Sequence, residues 1–169
     1  FTQTKKSWTT DSGDNRFRRA LYTYFYRSAP YPMLTTFDAP DFQSVCTGRP
    51  RSNTPLQSLT MANDKAFFEM AQGLAERLMN LVDGTDAAAN QNRIREAFRI
   101  CYARSPTSAE TELVWQYQQR QMSQFKADGN AAINVAPQDY DESYPVEVAA
   151  SWTAVARALM NADEFVTRE

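Results

Sequence analysis

Apolar positions recur along most of the chain at intervals of three and four, the spacing that lines one face of an α-helix. Phe17, Leu21, Tyr24 and Phe25 fall at i, i+4, i+7 and i+8 and predict a helix from Arg16 to Ser28. Asp14 or Asn15 is placed to cap it, and Pro30 and Pro32 to end it. From Pro30 to Arg51 no period is sustained, and four prolines and a glycine predict an ordered loop or short turns. Asn53-Thr54-Pro55 reads as a helix start, with a capping side chain and a proline where its missing N–H costs nothing. Leu56 and Leu59 open that helix, and Asn63-Asp64 breaks or re-caps it.

The next stripe is Phe67, Met70, Ala71, Leu74, Leu78 and Leu81, closed by Asp83-Gly84-Thr85-Asp86. Ile94, Ala97, Phe98, Cys101 and Tyr102 share one face of a helix stopping near Arg104. Thr107-Ser108-Ala109-Glu110, directly after Pro106, is a capping box whose helix runs to about Lys126. Asp128 to Tyr144 reads as a polar linker. Pro145 opens a last helix with Ala149, Trp152, Ala156, Leu159 and Met160 inward. No segment alternates with period two for long. The pattern predicts an all-α fold: one globular bundle of about six helices, with a long ordered loop in its first third.

A length of 169 residues suits a single domain. Phe1 to about Gly13 reads as loop or the remnant of a preceding segment, and residues 14–169 as the helical domain. The first residues carry neither an initiator Met nor a signal-peptide pattern and read as the middle of a longer chain. Composition removes several classes of chemistry. The chain has no histidine, so it holds no Ser-His-Asp or Cys-His catalysis and no His-ligated zinc, iron or haem. Its five scattered glycines form neither a dinucleotide fingerprint nor a phosphate-binding loop. A net charge of −2 argues against nucleic-acid binding through phosphate neutralisation, and no run of 18 apolar residues is present to span a membrane.

Four sets of residues could carry function. Bridging Cys46 and Cys101 would close a loop of about 56 residues and add roughly 4 kcal/mol; the alternative is two thiols, with Cys101 filling core. The segment Arg16 to Arg27 interleaves arginines and aromatics, either as a stacking surface or as a core stripe with solvated arginines. Arg49 and Arg51 arrive just before a helix N-terminus, where free backbone N–H groups favour anions. They would either bind an anion or pin the loop by pairing with Asp38 and Asp41. Asp139, Asp141 and Ser143 are spaced like a calcium loop, but Tyr144 and Ala150 stand where that loop needs Gly and Glu, so no metal is expected.

These same segments resemble the C-terminal part of a domain-of-unknown-function family, numbered fifteen-fifty-three, found in large planctomycete proteins that often also carry a planctomycete-type cytochrome c domain. The matching residues are Arg18, Arg19, Leu21 and Tyr22; then Phe37-Asp38-Ala39-Pro40-Asp41 followed by Cys46; then Arg51, Asn53-Thr54-Pro55-Leu56-Gln57 and Asn63-Asp64. A closing pattern follows at Trp152, Val155 to Asn161 and Asp163-Glu164-Phe165, so the resemblance runs from about Asp14 to Glu169. It implies an exported or periplasmic parent, Glu169 at or near its natural C-terminus, an absent N-terminal portion, and a stronger case for the Cys46–Cys101 bridge. It carries over no catalytic residue. No cofactor is expected in this chain; any haem would sit in another domain of the parent.

The expectation is a helical interaction or scaffold module, not an enzyme in its own right. Its surface would be built from Asp38, Asp41, Arg49, Arg51, Asn53 and Gln57 and would dock the missing part of the parent or another exported protein. The rival is a carbohydrate- or anion-binding domain or enzyme, with Asp38 as acid/base and the arginines as an anion clamp.

Overall fold

The structure, a computed structural model, describes residues 7–9, 11–26, 29–40, 44–48 and 52–167. Among them every regular element is helical: α1 (Pro32–Thr36), α2 (Pro55–Asn63), α3 (Lys65–Leu81), α4 (Ala87–Tyr102), α5 (Ser108–Ala127), α6 (Gly129–Val135), α7 (Val146–Met160) and α8 (Asp163–Val166), preceded by two 3-10 turns. The fold is all-α, as the periodicity predicts. The chain divides into two compact units, Phe1–Ser58 and Leu59–Glu169.

The second unit is a bundle built around α7, which packs against α3, α5 and α6. Ten of its residues, among them Ala149, Trp152, Val155 and Leu159, are buried. A helix buried on nearly every side must be apolar or small nearly all round, and four buried alanines (149, 150, 154 and 156) let its neighbours approach closely. Its two buried hydroxyls are satisfied. Ser151 donates to the Val148 carbonyl at 2.7 Å and accepts from Gln118 at 2.8 Å, while Thr153 donates to the Ala149 carbonyl at 3.3 Å.

The boundaries of the neighbouring helices follow local chemistry. The side chains of Asp64 and Asp86 cap α3 and α4 by accepting N–H groups of their first turns. Thr107 and Glu110 form the full capping box of α5. The turn between α3 and α4 uses Gly84 at φ 92°, a conformation that suits glycine. The inward face of α3 is rotated toward Ala71, Ala75, Leu78 and Met79, so Met70 and Leu81 stay exposed. The polar stretch after Asp128 is no plain linker: Asp128 accepts from the Ala131 N–H and starts α6, whose Ala132 is buried. Gln72 ties α3 to the end of that helix through the Val135 and Ala136 carbonyls.

The first unit corrects the helix expected from Arg16 to Ser28. That segment contains only 3-10 turns at Gly13–Phe17 and Ala20–Tyr22, with Arg18 and Arg19 extended. Phe17 and Leu21 are exposed, Leu21 by 80%, and Tyr24 by 70%. A stripe with three of its four residues exposed gains little tertiary stabilisation, and Thr23 with four aromatics nearby has low helix propensity. Trp8, within a segment that reads as plain loop, is instead an anchor. Its indole N–H donates to the Ala29 carbonyl at 3.0 Å, and its ring meets Tyr26 and Tyr31 edge-on at 5.0 and 5.1 Å.

The end of α4 stores removable strain. Its C-cap, Ala103, is left-handed at φ 58° and donates to the Arg99 carbonyl. Glycine adopts this conformation at little cost, so Ala103→Gly is expected to raise the unfolding free energy of the second unit by about 0.5–1 kcal/mol, read by urea denaturation.

Candidate functional site

The loop cluster singled out by sequence is a hydrogen-bonded knot in the first unit. At the end of α1, Phe37 donates to the Met33 carbonyl and Ala39 to that of Leu34, which leaves Asp38 in the left-handed region at φ 56°. This helix ending tolerates Asp because its short polar side chain bonds locally. The Asp38 carboxylate oxygen Oδ2 accepts from the Ser52 hydroxyl at 2.6 Å, the Ser52 N–H at 3.0 Å and Gln57 Nε2 at 3.3 Å.

Gln57 Nε2 also lies within bonding distance of the Thr36 carbonyl (2.9 Å) and the Ser52 hydroxyl (3.0 Å). Its Oε1 accepts from the Thr54 N–H at 2.9 Å, and the Gln57 N–H donates to the Thr54 hydroxyl at 3.3 Å. Thr54-x-x-Gln57 is therefore a reciprocal capping box, a signal present in the sequence but not read from it. It fastens the start of α2 to the end of α1.

The structure thus brings together Asp38, Ser52, Thr54 and Gln57. Gln57, expected on a docking surface, is buried, whereas Asn53 is exposed. Asp41, Arg49 and Arg51 lie outside the described residues. Of the two alternatives for the cysteines, a bridge or two thiols with Cys101 in the core, the structure shows the second: both are free, Cys46 exposed and Cys101 buried in α4. Burial pushes the Cys101 thiol up to about 11, which keeps it protonated and inert. Asp141 spends its carboxylate on the Ser143 N–H at 2.8 Å, which holds it below the usual carboxylate range. Among the described residues no three acidic or thiol side chains gather as a metal site.

Two arginines organise the second unit. Arg93 is fully buried on α4. Its Nη2 reaches the Val82 and Gly84 carbonyls at 2.6 Å each and the Tyr144 hydroxyl at 3.1 Å, while Nη1 donates to Asn90 Oδ1 at 3.1 Å. Its guanidinium carbon also lies over the rings of Tyr144 (5.3 Å) and Trp152 (5.8 Å). Burial holds this guanidinium below its ordinary value, with Tyr144 opposing. The signal was present in the sequence: Asn90 and Arg93 continue the buried stripe of α4 one turn toward its N-terminus.

Arg104, beyond α4, joins α5 to α8. Its Nη2 and Nη1 meet the Glu110 carboxylate at 2.6 and 3.0 Å, and its Nε and Nη2 meet Glu164 at 2.6 and 2.7 Å. Glu164, in the first turn of α8, is therefore paired. Bonds from Arg104, then from the Thr107 N–H, pull Glu110 down to about 2, and Arg104 likewise lowers Glu164.

Two predictions follow from this geometry. Asp38→Ala and Asp38→Gly both remove the acceptor of the Ser52 N–H, so amide exchange at Ser52 is expected to accelerate in each. The alanine variant should lose about 1–3 kcal/mol and the glycine variant about 1 kcal/mol less, because glycine relieves the left-handed strain. For the clasp, carboxylates held below their ordinary value stabilise fully above about pH 4.5, the ordinary glutamate value, and that contribution fades as pH falls toward about 2. Glu164→Gln should therefore lower the thermal midpoint most near neutral pH, and its gap from wild type should close as the pH falls below about 4.5.

No curated protein and no solved structure matches the chain. A family model does match, over residues 1–118, which contain the arginine–tyrosine motif, the Asp38 segment and the Thr54–Gln57 box; the closing pattern from Trp152 lies beyond the match. With more than half of its 169 residues matched, the chain belongs to the PSD1 family, proteins of unknown function (DUF1553).

Proposed function

We propose that this chain is a helical interaction and scaffold module of a larger exported protein, and that it docks an acidic face of that protein through residues 17–24. The observation that carries this reading is the exposure of Phe17, Leu21, Tyr22 and Tyr24 in one short segment. Clustered exposed apolar side chains mark interaction surfaces. Arg16 lies over the Phe17 ring at 5.2 Å and Arg19 over the Tyr22 ring at 5.7 Å, and Arg18 and Arg19 are exposed beside them. An apolar patch edged by guanidiniums complements an acidic surface with apolar pockets.

The knot around Asp38 supports docking over catalysis. Asp38 Oδ2 already accepts three hydrogen bonds from its own loop, and a general acid or base needs that capacity for substrate. The resemblance read from the motifs supports an exported parent with haem in another domain; this chain has no histidine and no CxxCH run to attach it.

Titration calorimetry between this chain and the separately expressed remainder of its parent tests the reading. The expected result is saturable binding that weakens with added salt and by at least about tenfold in Leu21→Asp or Tyr24→Asp. Absence of binding, or binding unchanged by both substitutions, would overturn it.

A further inference from the structure

A cleft of about 390 Å³ in the second unit, between α4, α5, α7 and the start of α8, has no role in the docking reading. Its volume lies in the range of small-molecule sites. The floor is apolar and aromatic: Phe98 and Tyr102 from α4, Val114 from α5, and Val155 and Leu159 from α7. Ala158 and Ala162 line it too, and their short side chains leave the groove open. Leu113, 62% exposed, stands on its α5 side.

The polar groups around this cleft divide into spent and free. The Tyr102 hydroxyl donates to the Leu159 carbonyl at 2.8 Å. Glu110 and Glu164 are both clasped by Arg104, whose guanidinium lies over the Phe98 and Tyr102 rings at 5.3 and 5.7 Å. Glu110 accepts from Thr107 as well. The Tyr117 hydroxyl and the Arg120 guanidinium remain; neither forms a hydrogen bond or ion pair with any described residue. They sit at i and i+3 on α5, on the face that carries Leu113, and both line the cleft.

The unspent capacity is therefore one guanidinium and one phenol beside an apolar chamber. We infer that this cleft binds a small monocarboxylate with an arylalkyl or medium-chain alkyl body, its carboxylate on Arg120 and Tyr117 and its body over Phe98 and Tyr102. A guanidinium offers two parallel N–H donors that match a carboxylate. Charge favours a monoanion over a dianion. Arg104 with Glu110 and Glu164 carries one net negative charge at the cleft and Arg120 brings the local sum to zero; a monoanion then adds one negative charge and a dianion two, at correspondingly greater cost.

The test is a titration of the intact chain with 4-phenylbutyrate, octanoate and the neutral 4-phenylbutyramide, followed by methyl and amide chemical shifts. Expected are saturable shifts at Leu113, Val114, Ala158 and Leu159 with either acid, and binding of the amide weaker by about tenfold or more. Arg120→Gln, on an exposed side chain, should weaken both acids by about tenfold and leave the amide unchanged; Tyr117→Phe should weaken the acids by a smaller factor. No saturable shift, shifts elsewhere, or equal binding of acid and amide would overturn the inference. So would an Arg120→Gln variant that is folded by its amide spectrum and binds acid like wild type.

Discussion

The second unit depends on how it accommodates one buried cation. Arg93 has no solvent exposure and, among the described residues, no carboxylate within ion-pair distance, Asp83 and Asp86 acting on it only from farther off, yet a guanidinium does not give up its proton inside a protein. Removing such a charge from water costs several kcal/mol unless polar atoms surround it. Here two backbone carbonyls, an asparagine side chain, a phenol and two aromatic faces supply that shell. Those groups belong to the α3–α4 turn, α4, the segment before α7, and α7 itself, so satisfying one side chain draws together four parts of the bundle. Tyr144 closes the arrangement by also accepting the Gly84 N–H at 3.1 Å.

Arg104 solves the opposite problem. It is partly exposed, so water screens it, and its two carboxylates act as a clasp between α5 and α8 and not as a foundation. Its significance for the cleft is electrostatic. By pairing with Glu110 and Glu164 it cuts their net negative charge at the cleft from two to one, and Arg120 stands exposed on the same cleft. Burial thus decides which arginine is architectural and which is free to meet a ligand.

The first unit is held differently, by short-range polar bonds and a small aromatic cluster. The Asp38–Ser52–Gln57 knot joins one helix end to the next helix start, and Trp8 packs edge-on against Tyr26 and Tyr31. Bonds already closed within a loop give it shape but leave little for chemistry. The side chains proposed to dock, Phe17, Leu21, Tyr22 and Tyr24, are by contrast left exposed.

The helices from α2 to α5, and α7, were legible in the chain because caps and apolar period are local: Asp64, Asp86, Thr107 and Glu110 each meet partners a few residues away. The candidate loop was legible as a motif, but its role was not. Whether Asp38 faces substrate or Ser52 depends on residues 14 to 19 positions apart. A stripe such as Phe17, Leu21, Tyr24 and Phe25 states only what a helix could bury, and no local rule says whether anything will cover it. Arg93 falls on the face that the α4 stripe marks as inward, but its partners Tyr144 and Trp152 lie far along the chain, and the cleft beside Arg120 is invisible because α4, α5 and α7 make it together. The chain by itself determined helix class and most boundaries, since those energies are closed within one or two turns. Only tertiary structure decided burial, pairing and concavity, since those are properties of surfaces that segments distant in sequence make together.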